Sequence, residues 1–496
     1  MMNKNLVLIN NYQKEMTLLN QSIALLEWDQ LTYMPPNGVG SRAEQISLLS
    51  NLIHKKMISN ELFTSLNALK KQKLSSKDSL MVKRLYKEVS KSRRLPEEYI
   101  KDLSKTTSLA YNAWDKARKE KKFKKFQTYL EKIVKLKKQE CKYINEPGHE
   151  YNGLLDQYEE GMTVERLKPV FSKLKKDLID LLNKIKESSN YKKQKKGMLK
   201  QHFSIEKQRN ICEEVIKRMG LSKLVSRLDL TTHPFSEKIG IDDVRMATNF
   251  RESPLFSFES TMHEAGHALY EFNLPKEDAY NILGTAPSLG IHESQSRFWE
   301  NMIGKQKSFW QFYFPIFKKE FNLKGDFNQW FKEVNYVKPG LVRIESDELT
   351  YCLHIILRFE LELGLIEGSI KVSDLPKLWN KKMKELLGIV PRNDKEGVLQ
   401  DVHWSGGSFG YFPTYAIGTI YSSQLYKQLL KEKFLVEEKI RKGNFREIIL
   451  WLDKNIYKVG NKLTAEEIIK KACKEGLNPK VFTDYLTKKY SEIYEI

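Results

Sequence analysis

The stretch TMHEAGHALYEF, residues 261–272, places His263 and His267 four positions apart, with Glu264 directly after the first histidine. On a helix, positions i and i+4 lie on one face, so both imidazoles aim at a single ion. Glu264 then sits beside that ion rather than on it, where a carboxylate takes a proton from an activated water. This is the logic of the HExxH arrangement. At ordinary residue frequencies the pattern arises by accident in about one chain in a hundred of this length, so it is a strong signal without being conclusive. The plain alternative is an amphipathic helix that carries two ordinary histidines.

A hydrolytic zinc needs a third protein ligand and an open position. Glu271 continues the i+4 series, but eight residues of helix advance about 12 Å, too far from His263 for both to bind one ion at about 2 Å. The third ligand must come from elsewhere. Glu293 lies near the start of a second helical pattern, GIHESQSRFWENMIG (290–304), and supplies it if that helix packs antiparallel to the first. Its competing role is a favourable charge at a helix N-terminus. Six of the nine histidines, His233, His263, His267, His292, His354 and His403, fall between 233 and 403, which concentrates the chemistry there. Cys141, Cys212, Cys352 and Cys473 are far apart without a CxxC pair, so neither a disulfide framework nor a thiolate zinc site is expected.

These residues need helices to hold them. A helix over 260–274 is expected, with Ser257 or Ser260 capping its start and Pro275 stopping it. Apolar residues recur at helical spacing nearly throughout, as in LKPVFSKLKKDLIDLLNKI (167–185), so the chain reads as mainly α-helical. VSRLDLTTHPF (225–235) and HWSGGSFGYF (403–412) are irregular or short-strand candidates that read as loops beside helices, so few short strands are expected. The polar stretch 186–204 suggests a soft boundary between an N-terminal region, 1–190, and a catalytic region, 205–496, within one integrated fold.

Composition narrows the function classes. No run of about 18 apolar residues suggests a membrane span, and MMNKNLVLINNYQKEM lacks the cleavage site of a signal peptide, so a cytoplasmic location is expected. The net charge of +21 comes mostly from lysines scattered through helical patterns, such as 116–140, with no zinc finger, RNP-like strand or KH-type loop beside them. That reads as a solvated lysine-rich surface rather than a nucleic-acid site.

Several motifs, in order, resemble the carboxypeptidase Taq family of metallocarboxypeptidases over nearly the whole chain: LLEWDQLTYMPPNGVGSRAEQ (25–45), HPF (233–235), HEAGH (263–267), HESQ (292–295) and GVLQDVHW (397–404). Two motifs depart slightly. The family's DxRxT reads DVRMAT (243–248), and its IRxxAD reads VRIESD (342–347), but Asp243, Arg245, Arg343 and Asp347 remain. The resemblance implies a single large helical peptidase fold with a deep groove, the metal on its floor and N-terminal helices partly roofing it. It also implies a homodimer.

His263, His267 and Glu293 would then hold Zn²⁺, for which Co²⁺ is an equally suitable occupant, and Glu264 would serve as the base. His403 and one of Tyr411 and Tyr415 are the candidate donors to the tetrahedral oxyanion. Arg343 is, by resemblance, the partner for the free carboxylate of a peptide; a salt bridge with Glu345 or Asp347 is its alternative. His233 is either a further groove contact or a loop-ordering residue. An oligopeptide endopeptidase would share the same HExxH chemistry, and a basic nucleic-acid scaffold with a vestigial metal site is a more distant rival.

Overall fold

A computed structural model describes residues 3–194, 197–198, 203–250 and 253–496. Among these, the regular elements are helices apart from three short strands, as the helical periodicity predicts. The stripe at 167–185 lies in a helix Val164–Glu187 that buries Leu167, Phe171, Leu174, Leu178, Leu181 and Leu182. Two helices, Tyr351–Glu367 and Pro413–Glu432, are buried over most of their surface and pack against each other inside the molecule.

The main core cluster draws residues from Ala110 to Tyr494. A smaller one, built on Ile9, Leu62, Leu66, Met81 and Leu85, belongs to the N-terminal helices and takes in Leu283. The first of those helices, Lys4–Thr32, reaches the sheet, where the Trp28 ring lies 5.0 Å from Phe235 and Tyr33 donates a 2.5 Å hydrogen bond to Asp229.

The segment read as loop at 225–235 is partly strand. β1 (Ser226–Leu230), β2 (Phe235–Gly240) and β3 (Asp243–Thr248) form a sheet of order β1-β3-β2, with β1 parallel and β2 antiparallel to β3. The period-two signal fails because β3 buries the consecutive Met246, Ala247 and Thr248, while β2 is half-buried along its whole length. The stretch 403–412 contains only a 3₁₀ turn, His403–Gly406.

The helix expected at 260–274 begins earlier, at Pro254 with Ser253 as N-cap, and ends at Asn273. Proline suits the first helical position, where its missing N–H would have no intrahelical partner. Ser257 and Ser260 therefore cap nothing; their hydroxyls bond back to the carbonyls of Pro254 and Ser257. The connection at 186–204 includes a helical turn, Ser189–Lys193, and falls partly outside the described residues. No helix among the described residues is long and apolar enough to cross a membrane, and the four cysteines are buried and free.

Candidate functional site

The HEAGH helix Pro254–Asn273 crosses the helix Leu289–Arg297, and Gly266 makes the crossing close. A Cβ at Gly266 would fall 2.6 Å from the Gln295 carbonyl oxygen and 2.7 Å from Ser296 Cα, contacts that real Cβ atoms do not make. Gly418 does the same on the far side, where a Cβ would lie 2.8 Å from Cβ of Glu293. Ser288 caps the second helix by accepting from Ile291 N–H at 3.0 Å. Glu293 is thereby delivered to the histidine pair.

His263 Nε2 and His267 Nε2 lie 3.7 and 3.4 Å from Glu293 Oε2, and the three donor atoms sit within 4.8 Å of one another. Donors around a tetrahedral zinc with bonds of about 2.05 Å are separated by about 3.3 Å, so the cluster fits a divalent ion closely. The remaining valences point the right way. His263 Nδ1 donates to Glu300 Oε2 at 2.8 Å; because a carboxylate only accepts, a proton is on Nδ1, and Nε2 is the ring nitrogen that faces the other two donors. Arg297 Nε donates to Glu293 Oε1 at 2.7 Å, which leaves Oε2 facing the histidines, and Arg297 Nη1 donates to Glu300 at 3.2 Å.

Arg297 and Glu300 were not among the expected site residues. Their signal was present as a helical series, Glu293, Arg297 and Glu300, but Glu300 reaches His263 from a π-helical turn, Phe298–Ile303, which sequence periodicity does not reveal. Glu271, too distant to be a third ligand, accepts from His292 Nε2 at 2.9 Å, and the His292 ring stacks on His267 at 4.5 Å.

Burial dominates the electrostatics. It raises Glu264 to about 7, with Glu293 and Glu300 adding to the rise and His263 and a hydrogen bond from Ser236 of β2 opposing it. Burial also acts to raise Glu293, but Arg297 and the two histidines hold it well below the carboxylate range.

His403, Tyr411 and Tyr415 converge at one place. His403 Nε2 is 3.3 Å from the Tyr415 hydroxyl, and the Tyr411 ring lies 5.3 Å from both His403 and Tyr415. Burial lowers His403 to about 4 against the pull of Asp401, with Arg343 and Arg358 pushing in the same direction as burial, so the imidazole is neutral near pH 7. The fields of Glu293 and Glu264 reach Tyr411, and that of Glu293 reaches Tyr415.

Arg343 is buried with its Cζ 4.9 Å from the Tyr415 ring centroid. Its carboxylate partner is Asp401, at 3.1 and 2.9 Å from Nε and Nη2, and Nη1 donates to the Tyr351 hydroxyl at 3.1 Å. Asp347 instead accepts from the backbone N–H groups of Lys338, Leu349 and Thr350. Asp401 also accepts from Arg358 Nε at 2.7 Å, so two guanidinium groups share one carboxylate. Of the five N–H groups of Arg343, three are used by Asp401 and Tyr351 among the described residues. His233 lies in the exposed turn that joins β1 and β2, three residues before Ser236.

The sequence model of a family described as Carboxypeptidase Taq (M32) metallopeptidase matches residues 8–490. The chain belongs to that family. Carboxypeptidase 1 of Bacillus subtilis is 36% identical over 98% of this chain and 99% of its own, and thermostable carboxypeptidase 1 of Thermus thermophilus is 35% identical over 97% and 98%. Among solved structures, an M32 carboxypeptidase from Deinococcus radiodurans superposes with a TM-score of 0.94 at 33% identity, covering 100% of each chain. A carboxypeptidase from Pyrococcus furiosus does so with 0.94 at 34% identity, covering 99% of each.

As a carboxypeptidase Taq family member, the chain is a metal-dependent enzyme that hydrolyses the C-terminal peptide bond of peptides. The endopeptidase alternative is not favoured, since the relatives of similar length are named carboxypeptidases.

Proposed function

We propose that this metallocarboxypeptidase holds zinc with His263, His267 and Glu293, uses Glu264 as general base, and binds the free C-terminal carboxylate of its peptide through Arg343. The observation that carries the reading is the convergence of three metal-type donors from two helices beside the buried Glu264. Cobalt fits the same donors. When bound, the ion polarises the scissile carbonyl and acidifies the attacking water.

The protein's own groups supply the rest. Glu264 accepts the water proton and returns it to the leaving amine. Neutral His403, with Tyr415 or Tyr411, donates to the oxygen that becomes negative at the tetrahedral stage. The two N–H groups of Arg343 left over by Asp401 and Tyr351 are suited to a carboxylate, and its buried setting strengthens that pairing. His233, three residues from the Ser236 partner of Glu264, serves as a further groove contact.

We also assign the enzyme to the cytoplasm as a homodimer, with regions 1–190 and 205–496 acting as one unit. The resemblance supports the dimer, the free buried cysteines fit a reducing compartment, and a core cluster that spans both regions fits the single unit.

The test is mass spectrometry of an unblocked peptide incubated with the purified protein, with chelator, and after zinc or cobalt is restored. A ladder that shortens from the C-terminus, stops with chelator and resumes with metal is expected. Internal fragments, or hydrolysis indifferent to chelator, would refute the assignment.

A further inference from the structure

Glu362 is fully buried on the helix Tyr351–Glu367, and its carboxylate receives three donors. Trp404 Nε1 donates to Oε1 at 2.7 Å, Gly410 N–H donates to Oε2 at 2.9 Å, and the Tyr151 hydroxyl donates to Oε2 as well. Trp404 directly follows His403, and Gly410 directly precedes Tyr411. One carboxylate therefore grips the 403–411 loop at two points, each next to a residue assigned to the oxyanion.

One helical turn earlier on the same helix, Arg358 grips the approach to that loop through Asp401 at 2.7 Å and Gln400 at 2.8 Å. The loop has little freedom elsewhere. Gly410 has φ +87°, and a Cβ there would meet the Leu154 carbonyl oxygen at 2.5 Å. An apolar side chain at 362 would fill the same space but leave three buried donors without an acceptor, each a substantial cost.

We propose that Glu362 is a positioning residue for catalysis, which sets the oxyanion donors His403 and Tyr411 through its bonds to Trp404 and Gly410. This rests on the oxyanion roles given to those residues above. Glutamine at 362 keeps the size but offers only one acceptor oxygen, so either Trp404 or the Gly410 and Tyr151 pair faces an amide N–H₂ instead. The donors on the loop then shift relative to the transition state while metal binding and substrate binding are untouched.

The experiment compares wild type, Glu362→Gln, Tyr411→Phe, His403→Gln and the Glu362→Gln/Tyr411→Phe pair, all metal-loaded and assayed on one peptide. Glu362→Gln is expected to lower kcat by about tenfold or more, the scale of a displaced catalytic group, with KM within about twofold. Metal content should be unchanged. In the Tyr411→Phe background the same change should cost less, because one of the two donors it positions is already gone. An equal loss in both backgrounds, or a loss that follows metal content, would overturn the positioning role while leaving the oxyanion reading intact. Normal kcat in both Tyr411→Phe and His403→Gln would overturn the oxyanion reading and this inference with it. If Glu362→Gln does not accumulate as folded protein, Trp404→Phe removes one of the three donors and carries the same comparison at smaller amplitude. A loss in Trp404→Phe that is undiminished by His403→Gln would likewise refute the proposal.

Discussion

Glu264 and Glu293 face the same cluster, yet their surroundings push them in opposite directions. Burial and neighbouring carboxylates raise Glu264 to about 7, whereas Arg297 and the histidines keep Glu293 charged despite its burial. Two carboxylates driven apart in this way suit the proton-carrier and ligand roles proposed for them. Glu264→Gln should therefore keep its metal and its fold but lose about 10²–10⁴ in kcat, checked by metal analysis beside steady-state rates. Loss of metal in that variant would instead make Glu264 a ligand. Glu300→Gln removes the charged acceptor that fixes the His263 tautomer, and a competition titration should find metal affinity about 10–100-fold weaker. Arg343→Ala should raise KM or lower kcat/KM on free-carboxylate peptides and spare C-terminally amidated ones. A loss of stability with no such discrimination would mean that the pairing with Asp401 is the whole role of Arg343.

At the scale of elements, the site depends on how closely two helices approach. The i, i+4 histidines and the helix under them were legible in HEAGH, because spacing along one helix is a local property. The use of Gly266 was not: the Gln295 carbonyl and Ser296 that it admits lie far along the chain. Gly266→Ala should force the Leu289–Arg297 helix outward, costing about 1–3 kcal/mol of stability, as overpacking does. It should also weaken metal binding, because Glu293 moves with that helix. A melting temperature and metal affinity both equal to wild type would show that the crossing relaxes without consequence. The pairing of the few short strands was not legible for a related reason. β2 and β3 owe their burial to the HEAGH helix and the first N-terminal helix, not to an alternation of their own residues.

Across the whole molecule, a cation would bind only where the folded chain brings the three donors together, so occupancy couples to stability. A ligand that binds only the folded state adds about 4 kcal/mol when present at a thousand times its Kd. Chelator should accordingly lower Tm, and restored zinc should raise it in a concentration-dependent way. A Tm indifferent to both would show that the cluster holds no cation.

The sequence by itself determined the helical class, the histidine pair, Glu264 beside it, and the candidacy of Glu293, His403, Tyr411, Tyr415 and Arg343. Helical periodicity and short motifs are properties of neighbouring residues. Only the tertiary structure decided that Arg343 pairs with Asp401, that Glu300 orients His263 from a π-helical turn, and that Glu362 grips the loop between His403 and Tyr411. Each of these is a contact between distant parts of the chain. Their partners are chosen by packing and by the cost of leaving buried polar groups unpaired, which local spacing does not encode.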